Sequence, residues 1–284
     1  MSVKSAQVDG ERFGPWAVVT GASSGIGRGF ARQLAGSGIN VVLVARRLEV
    51  IEEVGRQLRQ EFGVQYRAVR IDLTDEDFLA TLGPATSDLD VGLLVAAAGD
   101  GNVEKFLGAE LEEHLRIVAL NATASVRLAH HFGRRMADRG RGGIILVSAF
   151  LARRSMPYFS NGGATKAFLV TLGEALNTEL RAQGIHVTVL MPGATDTPLL
   201  AKMGEAGGKP MTVDQCVAEG LAALQANRAT HVAGRSNRIL LAAMPRPVMI
   251  RAFGPVLRRV VESRELTASQ GGAPSSSGAR TKNP

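Results

Sequence analysis

The sequence predicts a doubly wound α/β domain, a mostly parallel sheet of about seven strands with helices on both faces. Two observations carry this reading. Short apolar blocks rich in Val, Ile and Leu alternate with amphipathic helical stretches, as strands buried on both faces and joined by helical crossovers require. A glycine-rich turn, Thr20-Gly21-Ala22-Ser23-Ser24-Gly25-Ile26-Gly27, also follows the first block directly and opens the first helix.

Strands are expected at 16–20, 40–45, 65–70, 91–95, 143–148 and 185–190, with a weaker seventh at 230–233. Helices are expected at 26–35, 48–61, 111–137, 162–182 and 213–225. The long stretch 111–137 carries Leu115, Val118, Ala119, Ala122, Val126 and Ala129 at three- and four-residue spacing. A Gly/Met-rich loop at 199–211, with Gly204, Gly207 and Gly208, is expected to lid a pocket. The segment 246–264 interleaves apolar residues with arginines, and Pro245, Pro247 and Pro255 should limit its regularity. The limits drawn are a flexible N-terminus at 1–13, one domain at 14–265 and a Ser/Gly/Ala-rich disordered tail at 266–284.

Composition excludes several classes. Hydrophobic residues are 45% and charged ones 21%, so a sizeable core is available. The apolar run 91–98 is far below the ~18 residues of a membrane span. The N-terminus lacks the apolar stretch of a secretory signal, and Cys216 alone forms no internal disulfide. A cytoplasmic protein is expected. Of the net charge of +7, residues 228–284 hold ten Lys/Arg against two acids, which leaves the body at −1. With aromatics at 5%, nucleic acid is not an expected partner. The basic end reads as a solubilising surface, or as a docking surface for an acidic carrier or anionic lipid.

The glycine-rich turn lets Gly21, Ser23, Ser24, Gly25, Ile26 and Gly27 bring backbone N–H groups to a pyrophosphate at a helix N-terminus. After the second strand Ala45 stands where an NAD-selecting protein places a carboxylate, and Arg46 and Arg47 follow, with Arg28 nearby. Guanidinium groups pair with a 2′-phosphate, so NADP(H) is the expected cofactor and no metal is expected. The fold is thus a Rossmann fold.

With Asp72 after the third strand, Gly99 after the fourth, Asn121, Lys166 and Pro192-Gly193, the chain from about 14 to 235 resembles the short-chain dehydrogenase/reductase family. The resemblance implies Asp72 and Leu73 near the adenine, Ala98 and Gly99 beside the ribose, and Lys166 on the nicotinamide ribose. It places Pro192, Gly193, Thr195 and Thr197 against the nicotinamide. It also implies a homodimer or homotetramer.

The family's proton donor is a tyrosine four residues before the lysine; here that position is Gly162. The oxygen-holding serine belongs about thirteen residues earlier, at Ala149, and Ser148 is its neighbour. The fourth strand ends Ala96-Ala97-Ala98-Gly99 in place of the family's two asparagines, and Asp100 follows. Lys166 and Asn121 are kept. The catalytic set expected is therefore Lys166, Asn121, Tyr158 and Ser148, with Tyr158 folding back over the cleft and Asp100, Ser160 or a water as weaker donors. Loss of the tyrosine should open space beside Lys166 and lower its pKa.

Three functions remain. One is an NADP(H)-dependent oxidoreductase acting on a carbonyl or hydroxyl of a small, carrier-bound or lipid-like substrate with an atypical proton donor. Another is a non-redox isomerase, cyclase or lyase on the same fold, and the last is a cofactor-binding protein without catalysis. The segment 246–264 suits peripheral membrane contact, a partner, or a cover over the chain's own pocket.

Overall fold

The computed structural model describes residues 8–154, 156–203, 209–243 and 245–271. The strands are β1 (Trp16–Thr20), β2 (Asn40–Ala45), β3 (Tyr66–Arg70), β4 (Val91–Ala96), β5 (Gly142–Val147), β6 (Ile185–Met191) and β7 (Thr230–Val232). They form one parallel sheet in the order β3-β2-β1-β4-β5-β6-β7. Successive side chains of a strand point to opposite faces, and the burial follows. Ala17 and Val19 join one core, Val18 the other; Val41 and Leu43 separate likewise from Val42 and Val44.

Each core is closed by a helical layer. The first packs α2 (Gly25–Gly36), α3 (Leu48–Phe62) and α9 (Val213–Gln225) through Phe30, Leu34, Ile51, Leu58, Val217 and Leu221. The second packs α4 (Phe78–Leu82), α6 (Ala124–Ala137) and α7 (Ser160–Glu179) through Phe78, Leu82, Leu128, Phe132 and Val170. Truncating a fully buried ring such as Phe30 or Phe132 costs about 3–5 kcal/mol. The strand order reverses direction between β1 and β4, so the crevice at their carboxyl ends is the topological switch point where ligands bind.

Several expectations are corrected. The stretch 111–137 is α5 (Leu111–Val118) and α6 joined by a π-helical turn, Ala119–Thr123, because one extra residue is accommodated around Asn121. The N-terminus is not free from residue 8 on. Asp9 caps α1 (Gly10–Phe13) by accepting from the Glu11 and Arg12 amides, and Val8 and Phe13 are buried. The loop 199–211 begins as α8 (Pro198–Met203), while its glycines lie outside the described residues.

After α10 (Arg235–Ala243), α11 runs Arg246–Gly271, so helix extends beyond 264 and into the segment expected to be disordered. Pro255 sits inside it without ending it. Both Pro255 and Arg251, whose carbonyl loses its N–H partner, are exposed residues, so the proline orphans no acceptor in the core. Residues 272–284 lie outside the described part. Among the described residues no single helix is long and apolar enough to cross a membrane.

Candidate active site

The crevice is built from the end of β1 upward. The Thr20 hydroxyl accepts from the Ala97 and Ala98 amides, both at 3.1 Å, and so ties the ends of β1 and β4 together. Gly21 then turns with φ +68°, where a Cβ would stand 3.0 Å from the Ala98 backbone. A Cβ on Gly27 would stand 2.3 Å from the Gly21 carbonyl oxygen. Both turns therefore require glycine. Ser24 caps α2 in extended conformation without using its hydroxyl, and the first turn of α2 holds no acid. The helix start keeps its positive end and its N–H groups for an anion. Gly25 is approached by the Thr197 methyl, so the segment after β6 closes over the same turn.

At the outer end of the crevice, Arg47 donates to the Ser23 hydroxyl at 3.3 Å, and the Arg46 guanidinium lies 3.9 Å from Asp72 with most of its surface exposed. Burial would push the Asp72 carboxyl up. Hydrogen bonds from the Thr74 amide and hydroxyl, with Arg46 beside it, outweigh that and hold it below the usual range. Leu73 is buried under it. Arg28 is turned to Gln57. The cradle fits a dinucleotide: glycines where a side chain would fill the space, amide donors at a helix start, and cations at the rim.

At the inner end, Lys166 on α7 is buried, and its ammonium donates to the Val147 carbonyl at 2.9 Å. Burial pushes its pKa down to about 8. A Cβ on Gly99 would stand 2.8 Å from the Lys166 Nζ and 3.1 Å from the Asn121 Oδ1, so the chain after β4 runs directly past both. Asn121, presented by the π-helical turn, donates to the Asp100 carbonyl and the Thr165 hydroxyl, and accepts from the Asp100 amide. It clamps the strand end to α7. After β6, the Pro192 carbonyl accepts from the Phe150 amide, and the Thr195 hydroxyl donates to the Gly193 carbonyl. Asn237 of α10 lies so close to Gly193 that a Cβ there would stand 2.1 Å from its amide nitrogen.

Above Gly162 sits the ring of Phe159. A Cβ on Gly162 would stand 2.5 Å from it, and one on Gly101 2.9 Å. The ring therefore packs between two glycines at the mouth of the crevice.

A family model for short chain dehydrogenase matches residues 15–207. The 7beta-hydroxysteroid dehydrogenase of Collinsella aerofaciens is 31% identical over 235 residues, which cover 80% of this chain and 89% of that protein. The chain belongs to the short-chain dehydrogenase family. A solved short-chain dehydrogenase from Sphingobium yanoikuyae in complex with NADPH is similar over 94% of this chain and 99% of its own, at 27% identity and a TM-score of 0.75. The 3-ketoacyl-(acyl-carrier-protein) reductase of Brucella melitensis complexed with NADH covers 77% of this chain and 95% of its own, at 31% identity and a TM-score of 0.67.

At the positions where the family resemblance implies a tyrosine and a serine, the chain carries Gly162 and Ala149. Ser148 turns away from the crevice: its hydroxyl donates to the Lys166 main-chain carbonyl at 2.7 Å, which corrects its expected catalytic role. Its neighbour Ala149, at the crevice-side position, brings only a methyl. Tyr158 is not folded over Gly162. It takes φ +65°, its carbonyl accepts from the Glu104 amide, and its hydroxyl lies within electrostatic range of Arg258 on α11. After the reversal at Tyr158 the next residue, Phe159, packs its ring against the Gly162 and Gly101 backbone.

Asp100 is equally unsuited to donate. Burial pushes its carboxyl up, but hydrogen bonds from Lys202 at 2.8 Å and Arg116 at 2.7 Å outweigh this and keep it below the ordinary range. Ser160 opens α7 on its exposed side. Sequence reasoning did not find Phe159, Asn237, Arg116 or Lys202. Only Phe159 carried a signal, as the residue adjacent to the tyrosine that was weighed.

Proposed function

We propose that the protein is an NADP(H)-dependent oxidoreductase that acts on a carbonyl or hydroxyl group and uses Lys166 as its proton donor and acceptor. Arg46 and Arg47 at the rim, with Ala45 offering no carboxylate, favour the 2′-phosphate over a free ribose hydroxyl. The glycine-rich turn at 21–27, with Arg46 and Arg47, would hold NADPH, which would supply the hydride for the substrate carbonyl carbon. The chain must then hold the oxygen and protonate it. One N–H of the Lys166 ammonium goes to the Val147 carbonyl, and two are left for the cofactor ribose and the reacting oxygen.

The single observation that carries this reading is the buried lysine ammonium whose pKa is lowered to about 8. A donor poised near the working pH gives up its proton to a developing alkoxide far more readily than an ordinary lysine. Asn121 is a positioning residue that fixes α7, and hence Lys166, against the end of β4. The substrate class is a lipid-like ketone or secondary alcohol. The hydroxysteroid activity named for the C. aerofaciens relative makes ring ketones the first compounds to test.

One observation favours a second reading, a cofactor-binding protein without turnover. The Phe159 ring stands against the Gly162 backbone, where a family tyrosine would begin. NADPH oxidation over a panel of ring and chain ketones separates the two. The first reading predicts NADPH consumed in proportion to alcohol formed, with kcat falling as pH rises through about 8. Lys166→Met should then lose about 10²–10⁴ in kcat, while Tyr158→Phe should stay near the parent rate. A large loss in Tyr158→Phe would move the donor role to that residue. Product formed without NADPH consumption would place the protein among isomerases, cyclases or lyases.

A further inference from the structure

We propose that the elbow between α10 and α11 is a docking surface for an anionic lipid bilayer. Between Glu219 and Glu262 the chain holds seven arginines and no acidic residue. The two helices meet at 109°, and the described side chains on either side of the bend are apolar and exposed, where a surface turn is usually polar. Ile239 is 60% exposed and Val248 49%, with Ala242, Ala243, Pro245 and Pro247 exposed between them.

Arginines flank this tip. Arg235 stands exposed on α10, and Arg251 and Arg259 lie on the outward face of α11, three and eleven residues after Val248. Arg238 and Arg258 are partly neutralised by Glu219 and Glu262. The inner side is anchored: Met249 and Val261 are buried, and the Arg154 guanidinium donates to the Leu241 carbonyl. A Cβ on Gly254 would meet Pro157 at 3.7 Å, and Asn237 packs on Gly193. Met249 and Val261 of α11 are thus spent on the body of the protein, and among the described side chains what remains outward is a short apolar patch flanked by guanidinium groups.

That combination matches a membrane interface. Small apolar groups insert at the level of the acyl boundary while arginines stay with the headgroup phosphates. The pair bent by 109° offers no single straight rod of ~20 apolar residues, although its two arms together are long and apolar enough to pass as a broken span. The surface rests on the loop that carries Pro157 and Phe159, so a docked protein holds the crevice mouth close to the membrane.

The test is flotation of the full chain with phosphatidylcholine vesicles, with and without about one third phosphatidylglycerol. Binding is expected only to the anionic vesicles, and it should weaken as salt rises. Arg235→Ala, Arg251→Ala and Arg259→Ala each remove about fivefold in affinity, roughly a hundredfold together. Ile239→Asp with Val248→Asp abolishes binding while the melting temperature stays near the parent value, since both side chains are exposed. Three results would overturn the proposal. The first is no preference for anionic vesicles, and the second is wild-type binding by the triple arginine variant. The third is equal binding to a short DNA duplex that survives the aspartate pair, which would mark a generic polyanion surface. Loss of self-association in the aspartate pair, with no vesicle binding by the parent, would reassign the elbow to contact between copies of this chain.

Discussion

Lys166 carries a charge into a place that disfavours it. Its pKa is about 8 in the folded protein against 10.5 for a free side chain. Between those values the unfolded chain keeps a proton that the folded chain has released, so stability rises with pH across that window and the penalty is complete below about pH 8. The difference corresponds to about 3 kcal/mol. Lys166→Met should therefore be more stable than the parent at pH 7, by at most about 3 kcal/mol, with the gap closing by pH 10–11 in urea titrations. An equal gap at both pH values would show that burial does not govern this ammonium. The second residue that decides the site is Phe159. Gly162→Tyr places two rings in one volume and should destabilise by about 1–3 kcal/mol. Adding Phe159→Ala should restore most of that loss. Additivity of the two changes in a thermal double-mutant cycle would mean that the ring is not where the structure places it.

The helices and loops around the crevice are joined by contacts far apart in the chain. Lys202 of α8 reaches Asp100 after β4, and Arg116 of α5 holds the same carboxylate from the other side. This latch keeps α8 over the crevice, so Lys202→Ala should speed amide exchange in 198–203 about five- to tenfold, as loss of one charge-assisted bond implies. Exchange in α9 should not change. Unaltered protection of α8 would show that other contacts hold it. Such contacts were illegible in the sequence because nothing in the spacing of Asp100, Arg116 and Lys202 announces a meeting. The strands, by contrast, were legible to within a residue at each end for β1 to β7. The central strands, buried on both faces, are runs rich in Val, Ile and Leu that local sequence states plainly, whereas the edge strands β3 and β7 are mixed in composition and only partly buried. The continuation of α11 through Pro255 was missed because the cost of a proline depends on whether the orphaned carbonyl meets water, which is a tertiary property.

Taken together, the sheet brings its functional groups to one edge because every strand is parallel and the order reverses beside β1. The cradle proposed for the cofactor rests on requirements that are local in sequence: glycines at the turn, a helix start without acids, arginines after β2. The catalytic corner was readable only as a departure. Gly162 announced that a tyrosine was missing, but the packing of Phe159 rather than Tyr158 against it rests on a backbone reversal at φ +65°. All else at the site presumes that the crevice holds NADP(H), and isothermal titration calorimetry of the folded chain tests this most directly. NADPH should bind more tightly than NADH, and Arg47→Ala should lose about ten- to a hundredfold toward NADPH while leaving NADH little changed. Equal affinity for the two nucleotides, or no heat with either, would contradict the account.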